Sequence, residues 1–74
     1  MHIGQLIRRE LIRQHHSTTW FAQAMACSRT NVYKMFEKSS IDTDTLLRIS
    51  AILEVDFFRI YSQELGKIKN CVIH

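Results

Sequence analysis

Apolar residues recur along this chain at steps of three and four, the spacing of one face of an α-helix, and polar turns divide the recurrence into five segments. Ile3, Leu6, Ile7 and Leu11 form the first stripe, with arginines on the other side of the same helix. His15-His16-Ser17 ends it, and Ser17 or Thr18 can cap the next helix by accepting a hydrogen bond from a free N–H. Phe21, Ala22 and Met25 supply the inner face of a short second helix, which Ala26-Cys27-Ser28 breaks. Ser28 is a good N-cap for a third helix running to about Lys38. In that helix Val32, Met35 and Phe36 point inward, leaving Arg29, Thr30, Asn31, Tyr33 and Lys34 outside. After the loop Ser39-Ser40-Ile41, Asp42 opens a fourth helix whose buried face is Leu46, Ile49, Ile52 and Leu53. A fifth begins near Asp56, uses Phe57, Phe58, Tyr61 and Leu65, and is expected to stop at Gly66. The tail Lys67–His74 has no clear period and reads as a frayed end or a short pairing segment.

Five short helices with brief connections predict an all-α, compact five-helix bundle, with residues 1–66 as the domain and 67–74 as a C-terminal tail. Seventy-four residues leave room for one small core, and at that size dimerisation is a common supplement. An apolar fraction of 46% is that of a globular chain, and no proline interrupts the helices. No apolar run approaches a membrane span, and the N-terminus lacks the apolar region of a signal peptide, so the expectation is a cytoplasmic protein.

Candidate chemistry is sparse. Cys27 and Cys71 are too few for a disulfide scaffold and match no zinc spacing. His15 and His16 are adjacent, so on a helix they diverge by about 100° and cannot share an ion; with His2 and His74 they read as surface histidines. The ending Cys71-Val72-Ile73-His74 superficially fits a prenylation box, but histidine is a poor last residue and nothing else points to an anchor. There is no Gly-rich phosphate loop, no carboxylate pair with a plausible shared pocket and no nucleophile beside a base, so neither an enzyme nor a cofactor is expected.

Charge changes the picture more than its total of +3 indicates. Residues 1–38 hold Arg8, Arg9, Arg13, Arg29, Lys34 and Lys38 against Glu10 and Glu37, a net +4. Residues 39–74 hold Arg48, Arg59, Lys67 and Lys69 against Asp42, Asp44, Glu54, Asp56 and Glu64, a net −1. A basic half beside a near-neutral half fits one face meeting a polyanion, although a solvated helix surface reads the same way.

The most informative segment is residues 18–36, a short helix, a three-residue turn and a second helix. Phe21, Met25, Cys27, Val32 and Met35 take the apolar positions that two steeply crossing helices need, and Ala22 the small one at their closest approach. This pattern resembles the lambda-repressor-like family of Cro/XRE-type regulators, over roughly residues 3–61. Thr43–Phe58, TDTLLRISAILEVDFF, looks like that family's fourth helix and the start of its fifth. The chain departs from the family in carrying Ala26 where the turn usually has glycine and Thr18 where glutamine is common. It also has Lys38-Ser39-Ser40-Ile41-Asp42 in place of a Gly-x-x-x-Pro loop.

The resemblance implies a sequence-specific transcriptional regulator whose third helix enters the major groove of double-stranded DNA. Arg29 would then donate to a guanine edge, Thr30 meet a thymine methyl or a phosphate, and Asn31 pair with adenine. Tyr33 and Lys34 would lie against base edges or the flanking backbone, with Ser28 and Lys38 at the two ends of the helix. Ser17, Thr18 and Thr19 suit phosphate contacts. One such helix reads only a few base pairs, so a homodimer is expected, with the fifth helix and tail (Phe57, Phe58, Tyr61, Leu65, Val72, Ile73) as its source. The competing reading is a protein-interaction module, antitoxin-like or a phage regulatory subunit, built on the same bundle; its groove would be more apolar than the surface of residues 29–38.

Overall fold

The computed structural model describes residues 1–72, with side chains through Ile68. The side chains of Cys71 and Val72, and residues Ile73 and His74 altogether, lie outside the described residues. Five helices follow one another: α1 (Ile3–Arg13), α2 (Thr18–Ala24), α3 (Arg29–Phe36), α4 (Thr43–Leu53) and α5 (Phe57–Val72), and no strand occurs among the described residues. The fold is a small all-α bundle. Its core is a single cluster drawn from every helix: Ile3, Ile7 and Leu11, Phe21 and Ala22, Met25, Val32 and Phe36, Leu46, Ile49 and Leu53, and Phe57. Among the described residues no polar or charged one is buried, so burial of apolar surface carries the fold.

Helix starts follow the expected capping chemistry. Ser17 Oγ accepts from the Trp20 N–H at 3.0 Å, Ser28 Oγ from Asn31 N–H at 3.2 Å, and Asp42 Oδ2 from Thr45 N–H at 3.0 Å. Asp56 Oδ1 takes the Arg59 N–H at 3.3 Å and so opens α5. The ends are less orthodox. At the close of α1, His15 sits at φ 61° and the N–H of His16 returns to the Leu11 carbonyl. At the close of α2, Ala26 sits at φ 55° and the N–H of Cys27 returns to the Ala22 carbonyl. Glu54, at φ 56°, ends α4 in the same left-handed way. These are Schellman-type ends built without glycine, and the left-handed Ala26 is the strained turn expected from the sequence.

The two glycines sit elsewhere. Gly4 lies where the start of α1 runs into the end of α3: a Cβ there would stand 2.5 Å from the carbonyl oxygens of both Met35 and Phe36. Across this junction Ile3 N–H donates to the Ser39 carbonyl (3.3 Å) and Gly4 N–H to that of Lys38 (3.0 Å). The spare donors of one helix thus meet the chain leaving the spare acceptors of another, with opposite dipole ends adjacent. Gly66, by contrast, does not stop α5. Its φ is not positive and no capping turn follows it, so the helix runs on through the segment read as a tail.

Candidate nucleic-acid interface

Three anchors hold α3 so that its C-terminal end is buried and its N-terminal end is free. Val32 is fully buried and Phe36 nearly so, against the cluster that α1 and α2 share. The α1 junction just described clamps the far end. The Ser28 cap fixes the near end, and its hydroxyl oxygen is already engaged by the Asn31 N–H. Arg48 of α4 adds a strut by donating from Nη2 to the Met25 carbonyl (3.1 Å), closing the end of α2 where the α2–α3 turn begins. The sequence pattern gave no hint of that strut, because an arginine on an amphipathic helix reads as a solvated charge.

Nine of the ten residues expected at the interface are exposed: Ser17, Thr19, Ser28, Arg29, Thr30, Asn31, Tyr33, Lys34 and Lys38. Thr18 is half-buried. Arg29, Thr30, Asn31, Tyr33 and Lys34 all belong to α3 and lie off its buried Val32/Phe36 side. Ser17, Thr18 and Thr19 are grouped apart from them at the start of α2, and Lys38 lies beyond the end of α3, beside the α1 junction. From Leu11 to Phe36 the chain carries no Asp or Glu, while it carries Arg13, Arg29 and Lys34. The outer side of α3 is therefore basic and rich in hydrogen-bond donors, with no carboxylate of its own. Tyr33 is 56% exposed although its ring meets Phe36 edge-on, centroids 6.2 Å apart.

The three arginines of α1, alike in sequence, separate in space. Arg8 lines a cleft of about 330 Å3 with Gln5, Tyr33, Phe36 and Glu37, and so stands on the α3 side. Arg9 lines a different cleft, of about 410 Å3, with Leu6, Ile60 and Glu64 of the α5 side. Arg13 is ion-paired with Glu10, and that hydrogen bond, with a second from Gln14, holds the Glu10 carboxyl below its ordinary value. Gln14 also donates to the Leu53 carbonyl at 2.9 Å, tying α1 to α4. Trp20 stacks on His16 with ring centroids 3.6 Å apart and planes within 7°, and it packs against the core from a half-buried position.

Among the described residues no group of three or more His, Cys, Asp or Glu side chains is placed to hold a metal ion, and no helix is long and apolar enough to cross a membrane. No protein-family model, curated protein or solved structure matches this chain.

Proposed function

We propose that this protein is a sequence-specific DNA-binding transcriptional regulator that reads the major groove with the outer side of α3 and acts as a homodimer. The observation that carries the reading is the α3 surface itself: a capped, clamped helix presenting Arg29, Thr30, Asn31, Tyr33 and Lys34 together, with no acidic side chain among them. Arg29 in the first turn is the side chain for a guanine edge, and Asn31 for an adenine. Lys34 and Lys38 suit flanking phosphates, as do the hydroxyls of Ser17 and Thr19. The lambda-repressor-like pattern of residues 18–36 and 43–58 supports the same reading, as does the net +4 of the first 38 residues. A protein-binding groove in this place would be more apolar than this one.

The test is selection from random-sequence duplex DNA at two salt concentrations, with wild type and an Arg29→Ala, Lys34→Ala double variant. Both side chains are exposed, so the variant keeps its helical circular dichroism. Wild type is expected to enrich a palindromic site with salt-sensitive affinity, and the variant to lose the enrichment. Absence of both enrichment and salt-sensitive binding in wild type would sink the regulator reading.

A further inference from the structure

Arg48 stands in α4 between the exposed Leu47 and the buried Ile49, four residues after Asp44. An acid followed four residues later by a base is the favoured order for an ion pair along a helix. The Arg48 guanidinium instead reaches out of its own helix and donates from Nη2 to the Met25 carbonyl at 3.1 Å. That oxygen lies at the negative end of α2, where a cation is favourable. The other side-chain hydrogen bond between helices among the described residues, Gln14 to the Leu53 carbonyl, joins α1 to α4 and leaves α2 and α3 untouched. Arg48 is thus the polar link from α4 to the α2–α3 turn.

The link falls on the torsions that shape this turn. The Met25 carbonyl belongs to the peptide plane oriented by the ψ of Met25 (−5°) and the φ of Ala26 (55°). Alanine is strained at that φ, and relieving it means swinging the plane, which carries the oxygen away from Arg48. A left-handed alanine persists only where its surroundings over-determine it. Here the Cys27 N–H closes the turn onto the Ala22 carbonyl at 3.0 Å, and Arg48 holds the plane from outside. Three residues beyond Ala26 the chain enters α3 at Arg29, so this plane is part of the joint that directs α3 away from α2.

We propose that Arg48 is a positioning residue for DNA readout: it fixes the pose of α3 by holding the Met25–Ala26 peptide in the strained turn. The consequence for DNA rests on the regulator reading; the lock on the turn does not. Contacts to base edges need α3 in one pose, whereas attraction to phosphates tolerates several. Releasing the lock lowers the fraction of molecules with the turn in its binding pose, and affinity for the selected site falls in that proportion. A guanidinium placed directly on a phosphate would act differently, weakening all sequences alike and reducing the salt slope.

Two variants of the full chain test this. Arg48→Met keeps a long stem and removes the donor, and Arg48→Lys returns a cationic donor; the side chain is exposed, so both keep the helical circular dichroism of the bundle. Nuclear magnetic resonance of the free protein reads the turn, because a positive φ brings a residue's own amide and α protons close. Wild type and Arg48→Lys are expected to give the strong intraresidue Overhauser effect of a left-handed Ala26, and Arg48→Met a clearly weaker one. Anisotropy titrations on the site that wild type selects are expected to show affinity lowered about threefold in Arg48→Met and recovered in Arg48→Lys. Affinity for unrelated duplex and the salt slope should change little. An Ala26 signal unchanged in Arg48→Met overturns the lock. Equal weakening on every sequence with a slope loss of about 1 overturns the positioning role in favour of a phosphate contact. A wild type that selects no DNA, with Ala26 still released by Arg48→Met, would sink the regulator reading and leave the lock standing.

Discussion

At the scale of single residues, two constrained backbone positions, Ala26 and Gly4, carry each other's expected residue. Ala26 holds φ 55°, a conformation that glycine adopts without strain and alanine does not. Gly4 lies within a helix, where alanine is ordinarily better, but backbone oxygens at 2.5 Å leave no room for a methyl. The expected outcome is a pair of opposite shifts in urea unfolding at neutral pH. Ala26→Gly should stabilise by about 1 kcal/mol, the left-handed penalty less the extra entropy of the unfolded glycine chain. Gly4→Ala should destabilise by about 1–3 kcal/mol, because the α1–α3 junction must open to admit the methyl. The strain at Ala26 was legible in the sequence, since the helix-turn-helix pattern that residues 18–36 resemble has glycine at that place in the turn. The need for Gly4 was not: it comes from contact between helices about thirty residues apart, and no local pattern announces it.

At the scale of elements, hydrophobic spacing and capping chemistry located the starts of α2, α3, α4 and α5 within a residue or so, because both signals are local. Helix ends were harder to read. The third helix closes at Phe36 rather than near Lys38, and the fifth continues past Gly66. Glycine stops a helix only when it turns left-handed with a closing contact behind it, and after Gly66 nothing supplies one. The start of α4 carries a pH-dependent prediction. Asp42 accepts from the Thr45 N–H and, at 2.9 Å, from the Thr45 hydroxyl, and these bonds hold its carboxyl below the ordinary value. A carboxyl depressed in the folded state binds its proton more readily when unfolded. It therefore contributes stability above the unfolded value, near pH 4, and loses it as pH falls through the lower folded value. Asp42→Ala should lower the melting temperature at pH 7, and the gap to wild type should shrink as the pH is taken below 4. A gap that stays constant down to pH 2 would mean that the carboxylate charge is not what caps α4.

At the scale of the whole molecule, the question is which charges share a face, and that depends on how the helices are arranged rather than on their order. In the sequence Arg8, Arg9 and Arg13 form one basic cluster that either steers a polyanion or merely solvates a helix. The bundle divides them: Arg8 beside Tyr33 of α3, Arg9 toward Ile60 and Glu64 of α5, and Arg13 paired with Glu10. If α3 lies in the major groove, a DNA backbone flanking it passes the Tyr33 side of α1 and not the α5 side. Phosphate contacts are counted by the slope of log affinity against log salt, each contributing close to one counterion. Arg8→Ala is therefore expected to weaken binding to matched and mismatched sites alike and to reduce that slope by about 1, whereas Arg9→Ala and Arg13→Ala leave it unchanged. Fluorescence anisotropy titrations of the three variants at four salt concentrations read this directly. Equal slope losses for all three would mean that the positive field of the whole N-terminal half attracts DNA without a defined face. A loss confined to Arg9 would move the docked surface away from the Tyr33 side to the α1–α5 cleft that Arg9 lines with Ile60 and Glu64.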